Sequence, residues 1–151
     1  MLDSIHYHVN MLDANKTPNL DAIQAMYFAY RSFTQQPDLM LEKRGLNRVH
    51  HRILFFVARQ PEQTVNQLLK TLQVSKQALN APLRQLIEMQ LVEIKPSTLD
   101  KRMRLLCLTP KGSELESLLT QTQLAQLQSA FDQAGFAATQ GWMAVMQLLI
   151  T

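Results

Sequence analysis

The chain has 151 residues, 46% apolar and 18% charged, a balance typical of one folded domain and not of a disordered segment. Its single cysteine excludes an internal disulfide, and its longest apolar run (ILFFVA, 53–58) is too short to cross a membrane. Its N-terminus lacks the apolar core of a signal peptide. We therefore expect a soluble cytoplasmic protein. The net charge of +3 hides a basic middle, residues 70–111 with eight bases against three acids, which indicates either a site for a polyanion or an ordinary solvated face.

The first predicted helix covers residues 19–36, NLDAIQAMYFAYRSFTQQ, where large apolar side chains recur at helical spacing. Pro18 and Asn19 supply its start signals. The stretch PDLMLEKRG follows and ends at Gly45, so we expect a short connector there.

Three more helices are predicted from apolar spacing and from residues suited to cap them. Asn47 can cap a helix that stops near Pro61, Thr64 opens another, and Ser75 caps a third. The sides expected to be buried are Val49, Ile53, Leu54, Phe56 and Val57 in the first, Val65, Leu68, Leu69 and Leu72 in the second, and Leu79, Leu83, Leu86 and Ile87 in the third.

The spacing of the apolar residues changes after residue 90. LVEIKPS and RMRLLCLT contain alternating or β-favouring residues, and STLDK between them is typical of a polar hairpin tip. Thr109 and Pro110 restart a helical tail that is interrupted near Gly135. The order of four helices, a hairpin and two helices predicts a mainly α fold with a small two-stranded β-wing, a winged helix-turn-helix.

The same residues resemble the multiple-antibiotic-resistance regulator (MarR) family of bacterial transcription factors. In DKRMRLLCLTPKG, five residues occupy the places of the family's wing signature: Asp100, Arg102, Leu108, Thr109 and Gly112. VSKQAL and LRQLIEMQLVE are similar to the family's recognition helix and the start of its wing. The resemblance implies one continuous domain, with a DNA-binding lobe at 46–111 and a dimerisation region made by helices in 1–45 and 112–151.

Three positions depart from the family pattern. Gln90 stands where Gly is usual at the end of the recognition helix, so we expect that helix cap to be formed differently. Ile94 stands where a basic residue is common, and Ala81 with Pro82 interrupts a surface that often carries Arg.

The recognition helix has a polar side suited to the major groove. Winding residues 75–89 at about 100° per residue places it opposite the leucines, and its members are Gln77, Asn80, Ala81, Arg84 and Glu88. Gln and Asn can pair with adenine, Arg with guanine, and the Ala methyl can meet a thymine methyl. Ser75, the first helical N–H groups and Lys76 suit a phosphate. A plain amphipathic helix with a solvated face would show the same pattern, but the adjoining wing favours contact with bases.

Pro82 lies inside this helix, where its ring removes the hydrogen bond to the Ala78 carbonyl. We expect a bend that directs the residues before Pro82 into the groove. The alternative is a broken helix that restarts with Asn80 as its cap.

The wing carries five residues expected to act at the DNA: Lys95, Asp100, Lys101, Arg102 and Arg104. An Arg at a hairpin tip can enter a narrow A·T minor groove. Because a carboxylate repels phosphate, Asp100 is expected to hold Arg102 or Arg104 through a charge-assisted hydrogen bond. In the alternative, Asp100 simply favours the turn.

Other reactive residues give weaker signals. His6 and His8, and the adjacent His50 and His51, lack partners at metal-ligand spacing, so we expect no metal and no cofactor. Cys107 is interpreted as a small strand residue and not as a peroxide sensor. Tyr27, Tyr30, His50 and His51 are candidates for an effector pocket, and the alternative for each histidine is a packed position within its helix.

The tail is more apolar than one small domain can cover, which predicts a partner chain. The residues concerned are Leu115, Leu118, Leu119, Leu124, Leu127, Phe131, Trp142, Met143, Val145, Met146, Leu148, Leu149 and Ile150. The family's homodimer would bury them and present two recognition helices to a pseudo-palindromic operator.

The sequence therefore predicts a homodimeric, sequence-specific regulator of transcription that binds double-stranded DNA, acting as a repressor released by a small aromatic or lipophilic ligand. The alternative is a winged-helix module that binds a protein and does not read DNA. An enzyme is not expected, because no nucleophile elbow, phosphate loop or catalytic metal motif occurs in the chain.

Overall fold

The computed structural model describes residues 20–150, and its contacts divide the chain into a unit ending at Gln36 and a unit beginning at Pro37. The mainly helical fold with one antiparallel two-stranded sheet is confirmed. In chain order the elements are α1 (Leu20–Glu42), α2 (Arg48–Arg59), α3 (Val65–Leu72), α4 (Lys76–Glu88), β1 (Val92–Pro96), β2 (Arg104–Leu108), α5 (Pro110–Ala134) and α6 (Phe136–Leu149). Within the described part, no helix is both long and apolar enough to cross a membrane.

The connector expected after residue 36 is wrong in its first part. Helix α1 continues through Pro37 and ends at Glu42, so that only residues 43–45 form a turn. A proline inside a helix costs a backbone hydrogen bond, but Pro37 and Leu41 are fully buried. Burial of these side chains offsets the local stop signal.

Residues 20–36, the described part of the first unit, form a helix with exposed apolar side chains. Leu20 and Tyr27 are about three-quarters exposed, and Tyr30 is 46% exposed. The hydroxyl of Thr34 donates to the Tyr30 carbonyl one turn back at 2.9 Å. This surface of α1 is apolar but is not covered within the unit.

The core of the second unit is built from the sides predicted to be buried, except that the prediction for Val49 is wrong, since it is 38% exposed. Leu79, Leu83 and Leu86 of α4 are buried together with Ile53 and Leu54 of α2. The other buried apolar members are Leu41, Leu46, Val57, Leu68, Leu91, Val92, Leu106, Leu115 and Leu119. Two residues that the sequence assigned to a partner interface, Leu115 and Leu119, therefore belong to the chain's own core.

Local sequence sets where α2, α3 and α5 begin, as predicted, whereas the start signals Pro18 and Asn19 lie outside the described residues. The Asn47 side chain accepts from the Val49 N–H at 3.0 Å at the start of α2. At α3, Thr64 and Gln67 form a reciprocal capping box, and at α5 the Thr109 hydroxyl accepts from the Gly112 N–H at 3.0 Å. Each of these bonds satisfies an N–H that the helix itself leaves unpaired.

The two wing strands pair in antiparallel register, with Val92 opposite Leu108 and Pro96 opposite Arg104. A third segment joins them at one point, because Gln63 bridges to Leu106 and its carbonyl accepts from the Leu106 N–H at 2.8 Å. This bridge fixes the base of the wing against the start of α3. No periodic pattern in the sequence indicated it.

Candidate nucleic-acid interface

Helix α4 has the cap and the continuity that a recognition helix requires. The Ser75 hydroxyl accepts from the Ala78 N–H at 3.1 Å, and the helix continues from Lys76 to Glu88 with Pro82 inside it. The alternative of a helix that restarts at Asn80 is therefore wrong. Pro82 is half-buried beside the buried Leu79 and Leu83, so the core anchors the helix on both sides of the lost hydrogen bond.

The side of α4 opposite the core is open to a ligand. The structure leaves exposed all five residues that the sequence placed there: Gln77, Asn80, Ala81, Arg84 and Glu88. Ser75 and Lys76 at the helix start are exposed as well. The Ser75 oxygen is used as the cap, but its hydroxyl proton can still be donated to a phosphate.

One residue of α4 that the sequence missed fixes the helix in place. Gln85 is half-buried, and its side-chain oxygen lies 2.9 Å from Nε2 of His50 in α2. Its side-chain nitrogen donates to the Gly45 carbonyl at 3.1 Å. These partners are 35 and 40 residues away in sequence, so helical periodicity could not reveal them.

The expectation of an unusual cap after α4 is wrong. Gln90 has φ +58°, the left-handed conformation that glycine usually supplies. Its N–H donates to the Ile87 carbonyl, and the Leu91 N–H donates to the Leu86 carbonyl, both at 2.9 Å. This is a Schellman cap with glutamine in the strained position, held by packing of the buried Leu86 and Leu91.

The end of α4 is tied directly to the start of α5. The Thr109 hydroxyl donates to the Gln90 carbonyl at 2.6 Å, and the Thr109 N–H donates to the Leu91 carbonyl at 3.1 Å. Gly112 lies so close to Leu91 that a Cβ on Gly112 would be 1.8 Å from the Leu91 oxygen. The Leu-Thr-x-x-Gly signature therefore joins the recognition helix to the tail helix.

The wing presents its basic residues to solvent. Lys95, Lys101, Arg102 and Arg104 are all exposed. Lys95 forms a 2.9 Å ion pair with Glu93, and this hydrogen bond raises the pKa of Lys95. Ile94 stands where the family commonly has a basic residue. It is 40% exposed and lies opposite Leu106 in the strand register. The basic surface is therefore concentrated at the hairpin tip and in β2.

Asp100 has the turn-forming role and not the expected orienting role. Its carboxylate accepts from the Arg102 backbone N–H at 2.9 Å. Among the described residues it forms no ion pair with Arg102 or Arg104. A carboxylate two residues before a backbone N–H closes an Asx turn.

The four effector-pocket candidates lie in different surroundings. His50 is a packed helix residue: it is 4% exposed, Nδ1 accepts from the Asn47 N–H at 3.0 Å, and Nε2 meets Gln85. Burial lowers its pKa. Burial also lowers the pKa of the half-buried His51, with a partial offset from Glu116. Tyr27 and Tyr30 are exposed on α1.

The remaining residues considered for chemistry are Cys107 and possible metal ligands. Cys107 is half-buried and lines a shallow cleft of about 280 Å³ with Val57 and Glu116. Between residues 20 and 150, no group of three or more His, Cys, Asp or Glu side chains could hold a metal ion. His6 and His8 lie outside the described residues.

Comparisons with known proteins agree with the geometry. Residues 44–103 match the MarR family. The HTH-type transcriptional regulator PetP of Rhodobacter capsulatus is 42% identical over 128 residues, which cover 85% of this chain and 77% of that protein. A structure of Staphylococcus aureus MarR in complex with salicylate and kanamycin is 25% identical, with a TM-score of 0.69 over 85% of this chain and 87% of that one. A MepR variant of Staphylococcus aureus bound to an oligodeoxyribonucleotide shares the fold, with a TM-score of 0.58 at 19% identity over 85% and 95% of the two chains.

Proposed function

The chain belongs to the MarR family and is a DNA-binding transcription regulator, and from this premise we propose that it acts as a homodimeric, ligand-responsive repressor on a pseudo-palindromic operator. One observation carries the proposal. Helix α4 is anchored by three buried leucines, while its opposite side exposes Gln77, Asn80 and Arg84 beside a basic wing.

Sequence discrimination is assigned to the exposed side of α4. Arg84 can donate two hydrogen bonds to guanine, and Gln77 or Asn80 can form a bidentate pair with adenine. The Ala81 methyl, exposed between them, can contact a thymine methyl. The bonds from Gln85 to His50 and Gly45 support this role, because they fix the rotation of α4 about its axis.

Affinity is assigned to phosphate contacts on both sides of this helix. Ser75, Lys76 and the first N–H groups of α4 suit one phosphate. Lys101, Arg102 and Arg104 of the wing, with Lys95 beside Glu93, suit the neighbouring minor groove and its phosphates. Asp100 contributes by shaping the turn that carries Arg102.

The homodimer is proposed to form through apolar side chains that the chain does not cover itself. None of the residues of α6 is buried, and Leu148 is 85%, Val145 53% and Trp142 40% exposed. Soluble monomers rarely expose so much apolar surface on one helix. The exposed apolar side chains of α1, considered separately, suit the same role. A two-fold dimer would present two copies of α4 to half-sites about one helical turn, roughly 34–36 Å, apart.

For the ligand, a small aromatic acid is the first class to test. The Staphylococcus aureus MarR structure contains salicylate. The four candidate residues, Tyr27, Tyr30, His50 and His51, are substituted separately, and both ring nitrogens of His50 already have partners within the chain. Release of DNA on addition of salicylate, with loss of that response in one of these variants, is the expected result.

The experiment that tests the proposal starts from selection of binding duplexes out of a random pool by the wild-type protein. We expect one pseudo-palindromic sequence to emerge and to bind more tightly than a scrambled duplex of the same composition in gel-shift titrations. Sedimentation at micromolar concentration should give a dimer. Equal affinity for both duplexes would contradict sequence reading and favour the alternative of a winged-helix module that binds a protein.

A further inference from the structure

Leu99, at the tip of the wing, is 97% exposed and is the most exposed large apolar side chain of residues 20–150. It lies among polar and charged neighbours, with Lys101 and Arg102 two and three residues further on. A single exposed leucine is ordinary on a protein surface. Its position is what matters here, because the wing tip is the part of the chain that would meet the minor groove.

Hydrogen bonds hold the tip in one conformation that presents Leu99 outward. The hydroxyl of the buried Ser97 accepts from the Leu99 N–H at 3.2 Å and from the Asp100 N–H at 3.4 Å. The Ser97 N–H donates to the Met103 carbonyl at 3.0 Å, and the Met103 N–H donates to the Asp100 carbonyl at 2.9 Å. These bonds engage the backbone on both sides of Leu99 and define the shape of the tip.

We propose that Leu99 is a specificity-determining residue that contacts the floor of the DNA minor groove and favours A·T over G·C pairs there. The inference rests on the proposed function, since it needs the wing to lie in the groove of an operator. Leu99 would then sense the shape of the minor groove, in addition to the sensing of its negative potential that is expected of Arg102.

The chemical reason lies on the floor of the groove. A·T pairs present only acceptor atoms there, whereas a G·C pair adds the N2 amino group of guanine. An isobutyl side chain has no acceptor for that amino group. Leu99 against a G·C pair would collide with it and would also strip it of water without replacing the hydrogen bond. Against A·T pairs the same side chain leaves water for an apolar contact with the sugars and the base edges.

Inosine separates the minor-groove amino group from the major-groove edge of the pair. An inosine·cytosine pair matches G·C on its major-groove edge but lacks the N2 amino group. In the duplex selected by the wild-type protein, each A·T pair in the segment facing the wing is replaced by G·C and, separately, by I·C. For the wild type we expect at least one position where the G·C replacement weakens binding by about fivefold to tenfold, which is the scale expected when part of a leucine side chain loses its burial. At the same position the I·C replacement should restore the affinity.

Leu99→Ala is then measured on the same duplexes. We expect about fivefold weaker binding to the selected duplex and a G·C to I·C difference below about twofold at that position. The slope of affinity against salt should stay at the wild-type value, because no phosphate contact is removed. Leu99→Met should keep most of the discrimination. Thr98→Ala, at the exposed neighbouring position, is the matched control and should behave as the wild type.

Two outcomes overturn the inference. One is a wild type for which no wing-facing position distinguishes G·C from I·C, and the other is a Leu99→Ala variant that keeps the wild-type ratio. Because Leu99 is almost fully exposed, its variants should melt at the wild-type temperature, which removes misfolding as an explanation. Failure of the proposed function would look different, because the wild type would then bind selected and scrambled duplexes equally.

Discussion

Gly112→Ala should break the connection between the recognition helix and the tail helix. Gly112 lies in the first turn of α5 with its Cα against the backbone of Leu91. An added Cβ would be 1.8 Å from the Leu91 carbonyl oxygen and 2.8 Å from the carbonyl carbon. Both neighbours are backbone atoms, so no side-chain rotation can relieve the overlap.

The size of the effect follows from the shift that the overlap requires. Non-bonded heavy atoms prefer separations of about 3.5 Å, so the two segments must move apart by more than 1 Å. That movement breaks the bonds from Thr109 to the Gln90 and Leu91 carbonyls, each contributing about 0.5–1.5 kcal/mol. Overpacking adds roughly 1–3 kcal/mol, and the better helix propensity of Ala returns about 1 kcal/mol. We expect a net loss of about 1–5 kcal/mol in the free energy of unfolding.

Urea unfolding followed by circular dichroism, at one fixed protein concentration, measures this loss. Gly141→Ala is the matched control, because the added Cβ would have no atom of another described segment within 4 Å. The control should be as stable as the wild type or slightly more so. If Gly112→Ala unfolds at the same urea concentration as the control, the close approach to Leu91 does not hold the two helices together.

Four further outcomes follow from the geometry. Gln90→Gly should raise the free energy of unfolding by about 1 kcal/mol, because glycine adopts the left-handed conformation without strain; no gain in urea unfolding would mean that packing fully offsets the strain. Because burial lowers the pKa of His50 below its unfolded value of about 6.5, the unfolded chain binds more protons and stability should fall as pH drops below about 6.5. His50→Gln, which retains a capping side chain, should flatten that dependence in urea titrations at several pH values, and an unchanged slope would assign it to other groups. Arg84→Ala should cost about 1–3 kcal/mol of binding free energy on the operator and less on scrambled DNA. Arg102→Ala should instead reduce the slope of log affinity against log salt concentration by about one unit per phosphate contact. Identical losses for the two variants in gel-shift titrations would contradict this division of roles. Leu148→Glu should dissociate the dimer in sedimentation, because it places a charge in an apolar contact, and a stable dimer would exclude α6 from the interface.

The sequence by itself determined the features whose causes lie within a few residues. Asn47, Thr64, Ser75 and Thr109 begin helices because each side chain bonds an N–H two or three positions further along. The buried side of α4 followed from helical spacing, and the wing followed from the change of period. The exposed polar side of α4 was predicted for the same reason, since the burial of one side of a helix leaves the other in solvent.

Only the tertiary structure decided the features whose causes lie far along the chain. Pro37 stays helical because it is buried, Gln90 takes a left-handed conformation because the buried Leu86 and Leu91 hold the turn, and Gln85 bonds a histidine 35 residues away. The role of Asp100 was open between a side-chain and a backbone partner, and the turn brought the Arg102 N–H within 2.9 Å. Propensities and spacing describe energies of neighbouring residues, whereas these outcomes depend on contacts that exist only after distant segments have packed.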